Sequence, residues 1–171
     1  LAIHALQCAI DDYGFGTQIE PQRMNAELAG AALNAALGLY EVTSDEAYKN
    51  AAVEHANYLL SCQQQENLDT DVPLKGFFYR TPEKEAILHY SHRAHDQDLV
   101  VGLVKLSKLF PSEAGKWKQA LQLYADYYKG ICTYTAPYYM IPAGIYDVLK
   151  TRNQVDSLQV ANGIKLNDRY Y

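Results

Sequence analysis

A chain of 171 residues is long enough for one domain with a real core and short for two. Apolar residues make up 49% of it, which excludes disorder, and no uninterrupted apolar run of about 18 residues offers a membrane span. The formal net charge of −5, with dispersed lysines and arginines, leaves no electrostatic footprint for nucleic acid.

Residues 1–12 read as the tail of a helix, with Leu1, Ala5, Cys8 and Ala9 on one face. Glycines in Tyr13-Gly14-Phe15-Gly16 stop it. The opening Leu1-Ala2-Ile3 has neither initiator methionine nor capping residue, and the end at Tyr170-Tyr171 has no polar tail. Both ends suggest an internal piece of a longer protein.

A helix is expected over 24–41, apolar almost all round through Leu28, Ala31, Ala32, Leu33, Ala35, Ala36, Leu37 and Leu39. Such a helix is expected to be buried on every side, with Gly30 and Gly38 allowing neighbours close. Thr43-Ser44-Asp45-Glu46 has the spacing of a capping box, Thr43 and Glu46 satisfying each other's amides. The helix that follows, 45–64, is amphipathic. Ala47, Tyr48, Ala51, Ala52, His55, Ala56, Leu59 and Leu60 form its apolar stripe; Glu46, Lys49, Asn50, Glu54, Asn57 and Ser61 form its wet face. On that stripe His55 is expected to be packed rather than catalytic.

After an irregular stretch over 65–90 the pattern repeats. Residues 93–110 are again apolar over most of their girth, and Pro111 stops them. Residues 113–130 are amphipathic, with Trp117, Ala120, Leu121, Tyr124 and Tyr128 opposite Lys116, Lys118, Gln119, Gln122, Asp126 and Lys129. The fuller helices begin at 24 and 93 and the amphipathic ones at 45 and 113, a repeat of 69 and 68 residues. A third inner segment is expected from near Pro137 or Pro142 through Ile145, Tyr146, Val148 and Leu149. The fold class is therefore all-α: helical hairpins in two layers, inner and outer, in one domain over 1–171. The long loops all join an outer helix to the next inner one, so they gather at one end, where a cleft would form.

The candidate site residues lie on those loops. His92-Arg93-Ala94-His95-Asp96-Gln97-Asp98 is the densest polar cluster, at the start of an inner helix. His92, His95 and Asp98, spaced by three, share roughly one helical face. Asp96 and Asp98 also suit a helix N-terminus through the macrodipole. His92-x-x-His95 lacks the i,i+4 spacing and the glutamate of a zinc-protease helix, so no metal is expected. Asp96 and Asp98 diverge on a helix, whereas inverting glycosidases need carboxyls about 6.5–9.5 Å apart, so the catalytic residues stay unassigned.

Phe77-Phe78-Tyr79-Arg80 and Tyr138-Tyr139 are loop aromatics that suit either sugar stacking or a hydrophobic cluster under a long loop. Gln18, Glu20, Gln22 and Arg23 are expected on the same rim. The substrate-binding set is His92, Arg93, His95, Asp96, Tyr79, Arg80 and Tyr138. The three cysteines, Cys8, Cys62 and Cys132, show no ligand or disulfide spacing and read as small buried or half-buried side chains. Phosphate-binding glycine loops and Ser/His/Asp nucleophile motifs are absent, and no cofactor is expected.

Thr43-Ser44-Asp45-Glu46-Ala47-Tyr48, then Ala51-Ala52, Ala56, Leu59-Leu60 and Gln63, resembles the outer-helix signature of six-hairpin glycosidases. In these the helix runs through a glutamine into a substrate loop, here Gly76-Phe77-Phe78-Tyr79. Ser91 to Gln97, Leu106 to Pro111, and Thr135-Ala136-Pro137-Tyr138 to Pro142-Ala143-Gly144-Ile145-Tyr146 are similar to bacterial proteins related to glycoside hydrolase family 9. The resemblance covers most of 20–147. It implies an (α/α)6 toroid, inverting hydrolysis of polysaccharide or oligosaccharide, and an extracytoplasmic location.

The family's Asp-Ala-Gly-Asp motif and distant downstream glutamate are missing here. Two to three hairpins are present where a closed ring needs six. The resemblance thus implies a partial toroid that supplies cleft loops and lacks the full acid/base pair. Carbohydrate and the remainder of a parent chain, or self-association, are the expected partners. Two rival readings stay open: a non-catalytic helical-repeat binding module, and a polysaccharide lyase on the same toroid, where a tyrosine and a histidine move the protons.

Overall fold

The computed structural model describes residues 24–68, 73–84 and 95–140, with the side chains of 95–97 left aside. Within these residues four α-helices are present: α1 (Ala26–Thr43), α2 (Glu46–Cys62), α3 (His95–Leu109) and α4 (Gly115–Cys132), followed by a 3-10 turn at Thr133–Thr135. No strand forms among them; Gln63 and Phe78 make an isolated antiparallel bridge. The helix bounds fall within about two residues of those expected from apolar periodicity. The segments 1–12 and 142–149 lie outside the described residues, so the toroid itself is not visible.

α1 packs most extensively on α2 and α3, and α4 packs on α3 and α2. Gly30 lets α3 come close: a Cβ there would stand 2.9 Å from both the amide nitrogen and Cα of Leu99. Gly102 does the same from the other side, facing the Leu33 side chain. α1 and α3 therefore run in the same direction, with Tyr40 meeting Phe110 edge-on at 5.1 Å near their C-terminal ends. α2 and α4 close the second layer through Ala52, Ala56, Leu59, Trp117, Tyr124, Tyr127 and Ile131. The inner-then-outer order is thus visible in two hairpins.

Three details differ from expectation. Gly38 has no atom within 4 Å of a notional Cβ, so it makes no close approach. α1 is not buried on every side: Leu28 is 37% exposed, Val42 is 72% exposed, and Ala31 is exposed as well. Alanines and glycines make a helix apolar all round without a neighbour on each face. The capping box is not formed either. Thr43 ends α1, its hydroxyl donating to the Leu39 carbonyl at 2.8 Å, and Ser44 turns the chain through a left-handed conformation at φ 56°. Asp45 is the true cap of α2, its carboxylate accepting from the Ala47 amide at 2.9 Å. An αL residue between the helices shifts the cap on by two positions.

The long loop is folded back rather than open. After Gln63 the chain returns at Gly76–Tyr79 to pair with the end of α2. The Gln64 amide donates to the Phe77 carbonyl at 2.7 Å, Gly76 to Gln64 at 2.8 Å, and Tyr79 to Cys62 at 2.9 Å. Gly76 sits at φ 97°, where only glycine is comfortable, and a Cβ there would meet the Leu123 carbonyl oxygen of α4 at 2.0 Å. Phe77 and Phe78 enter the core and meet Tyr127 and Tyr124 at 5.6 Å each. Burying each ring stabilises by about 2–3 kcal/mol.

These contacts generate two predictions. Gly76→Ala costs about 3 kcal/mol or more, because both the backbone conformation and the space forbid it. Gly38→Ala, at a helical site with open space, gains about 0.5–1 kcal/mol by restricting the unfolded chain. Urea unfolding of the two variants beside the parent checks both; equal effects would contradict the packing described.

A further prediction concerns His55, which is almost wholly buried on α2 and held below its usual pKa by burial. The folded state keeps it neutral, while the unfolded chain protonates near pH 6.5. Because the unfolded state then binds more protons, stability falls as pH drops from about 6.5 toward the lower folded value. His55→Gln should flatten that slope between about pH 6.5 and pH 5, above the range where carboxylates titrate. Denaturant midpoints measured across that range decide it; an unchanged slope in the variant counts against a buried, neutral His55.

Candidate functional site

The N-termini of α1 and α3 and the C-termini of α2 and α4 lie at one end, together with the segments 63–68, 73–84 and 133–140. This is the collected-loop rim expected from the order of long and short connections. The start of α1 is fastened there by its own cap and by its neighbours. Asn25 caps α1, its side chain accepting from the Leu28 amide at 2.9 Å. The Ala26 amide donates to the Arg80 carbonyl at 2.8 Å, so the loop supplies an acceptor that the helix's first turn needs. Tyr58, from α2, donates its hydroxyl to the Met24 carbonyl at 2.9 Å.

Gln63 is the central fastening. It is fully buried, and its Nε2 donates to the carbonyls of Gly76 and Ala120, both at 2.9 Å, while its Oε1 accepts from Gln65 at 3.1 Å. One side chain thereby ties the end of α2, the returning loop and α4. Beside it, Gln64 donates to the Glu66 carbonyl at 2.7 Å and accepts from the Lys84 ammonium at 3.4 Å.

Arg80 is exposed at the rim, and Tyr79 is half-buried with its ring edge-on to Phe77 at 5.2 Å. Phe77 and Phe78 take the packing role of the two that the sequence left open. Tyr138 is 80% exposed, and Tyr139 and Met140 beside it are also largely exposed. α3 begins at His95, so the backbone of Asp96 and Asp98 lies in its first turn, as a favourable macrodipole placement requires. His92 and Arg93 lie outside the described residues, as do Gln18, Glu20, Gln22 and Arg23. The structure therefore brings Tyr79, Arg80, Tyr138 and the backbone of His95 and Asp96 to one end.

Tyr134, 44% exposed, was missed as a rim aromatic. Its signal was available: it stands four residues before Tyr138 and five before Tyr139, just beyond the last amphipathic turn. The exposed turn is held by Thr135, whose hydroxyl contacts the carbonyls of Cys132 and Met140 and whose own carbonyl accepts from the amides of Tyr138 and Tyr139. The other tyrosines of α4 serve packing instead, Tyr124 and Tyr128 lying 4.7 Å apart by ring centre.

The titratable groups below the rim are unreactive by environment. Burial pushes the Cys62 thiol up to about 12, and burial, then the neighbouring Cys62 and Glu83, pushes Tyr58 up to about 12. Neither supplies a thiolate or phenolate near neutral pH. Glu83, at the surface, is held low chiefly by a hydrogen bond with Thr81. Cys62 is buried and Cys132 half-buried, both as free thiols. Among the described residues no three His, Cys, Asp or Glu side chains are grouped to hold a metal ion. No helix among them is long and apolar enough to cross a membrane. Among the described residues the rim offers exposed aromatic faces, a guanidinium and a helix start. No protein-family model, curated protein or solved structure matches the chain.

Proposed function

We propose that the chain is part of a glycoside-hydrolase-like protein of extracytoplasmic location, and that it supplies the carbohydrate-binding rim of a two-layer helical toroid. The acid and base of inverting hydrolysis then come from elsewhere in the parent protein. The observation that carries this reading is the exposure of Tyr134, Tyr138 and Tyr139 in one anchored turn, at the same end as Tyr79 and Arg80. Tyrosine rings exposed on an anchored turn suit the apolar faces of sugar rings, and a tyrosine hydroxyl can bond the sugar's edge. Arg80 and the His92–Asp96 segment add hydrogen-bonding groups for sugar hydroxyls or a charged substituent.

Affinity electrophoresis against soluble polysaccharides, followed by calorimetry with the retarding oligosaccharide, tests it. Weak binding is expected, and Tyr138→Ala or Tyr139→Ala should weaken it about tenfold, roughly 1.4 kcal/mol, with folding unchanged. No cleavage should accompany binding. Failure of every polysaccharide to retard the chain, or indifference to both substitutions, contradicts the reading. A product with new ultraviolet absorbance would replace hydrolysis by elimination.

A further inference from the structure

The turn that follows α4 is gathered on one residue. Thr133 and Thr135 both send their hydroxyls back to a carbonyl three residues earlier, Thr133 to Gly130 at 2.7 Å and Thr135 to Cys132 at 2.9 Å. Thr135 also reaches forward, its hydroxyl meeting the Met140 carbonyl. Its own carbonyl accepts from the amides of Tyr138 and Tyr139, both at 3.2 Å. Pro137 has no N–H and so brings no amide of its own to the turn. Thr135 therefore bonds three successive residues whose side chains are exposed, Tyr138, Tyr139 and Met140.

Those bonds hold an unfavourable piece of backbone. Tyr139 lies at φ 51°, in the left-handed region that a ring-bearing residue takes only where its surroundings impose it. That angle sets the direction of the Tyr139 side chain against that of Tyr138, so the two rings keep one arrangement only while it is held. Residues 130–140 include no Asp, Glu, Lys, Arg or His. A ligand on this turn then meets ring faces, whose attraction depends on direction, rather than charges, which act at longer range. We propose that Thr135 is a positioning residue for carbohydrate binding, its hydroxyl fixing Tyr138 and Tyr139; this rests on the binding role proposed for the rim. The Thr135 carbonyl is backbone and survives any substitution, whereas the hydroxyl does not. Without it the rings move, and a ligand must order them at the expense of affinity.

Three variants of the whole chain test this. Thr135→Val removes the hydroxyl and keeps the shape, Thr135→Ser keeps the hydroxyl, and Thr133→Val removes the neighbouring hydroxyl that bonds back to Gly130. Amide relaxation by NMR gives backbone order without any ligand. The order parameters of Tyr138 and Tyr139 should lie near about 0.85 in the parent, Thr135→Ser and Thr133→Val, and fall below about 0.6 in Thr135→Val, with α1 and α3 unchanged. Calorimetry with the oligosaccharide that retards the parent should show affinity about tenfold weaker in Thr135→Val, and within about threefold of the parent in the other two. Order or affinity that persists in Thr135→Val, or that Thr135→Ser fails to keep, overturns the proposal and leaves the binding role standing. A Thr133→Val that behaves as Thr135→Val does overturns it too, since either hydroxyl would then serve. A parent that binds no polysaccharide overturns the binding role itself, and the part of Thr135 falls with it.

Discussion

The side-chain amide of Gln63 holds the rim to the helical frame. Two backbone carbonyls, Gly76 on the returning loop and Ala120 inside α4, both accept from its one buried Nε2. Each such bond contributes about 1 kcal/mol net, but leaving a buried carbonyl without a donor costs about 1–3 kcal/mol. The asymmetry makes the amide a constraint more than a contribution. With it in place the loop's positive-φ glycine fits against α4, Phe77 and Phe78 enter the core, and Arg80 arrives where its carbonyl meets the first turn of α1.

The rest of the rim follows from that arrangement. Because the loop after α2 is spent on packing, the groups left facing solvent are those at its margin and those on the turn after α4. A core built by rings from both loop and helix makes that margin firm. Tyr127 and Tyr124 meet Phe77 and Phe78 from the α4 side, so the helix carrying the exposed turn is braced by the same loop that carries Arg80. Under the proposed carbohydrate-binding role, groups set on such a frame lose little freedom when a ligand arrives, which is the main advantage of fixing them beforehand. The tyrosine-rich composition therefore has two physical explanations, one internal and one at the surface.

Much of the frame was legible in the residues. The inner helices announced themselves by apolar residues on most faces, the outer ones by a stripe, and the unequal connections by their position between outer and next inner helix. Local chemistry misled where a single backbone choice decided the outcome. Thr43 and Glu46 have capping-box spacing, yet Ser44 in the left-handed region makes Asp45 the cap. Gly30 and Gly38 look alike in sequence, but only Gly30 meets a neighbour, since the difference lies in where α3 crosses. Gln63 was visible as the residue leading into the loop; its burial was not, because burial of a polar side chain depends on carbonyls 13 and 57 residues away. Phe77 and Phe78 were ambiguous for the same reason. Tyr138 was readable as a loop aromatic, and it is exposed.

The central claim, that Gln63 fastens the loop to the frame, is tested most directly by amide hydrogen exchange in Gln63→Leu beside the parent. The account predicts that the amides of Gly76 and Tyr79 lose protection by about a hundredfold, corresponding to ~2.7 kcal/mol, while those of Leu33 and Leu103 in α1 and α3 change by less than about threefold. Protection of Gly76 and Tyr79 that persists in the variant would contradict it.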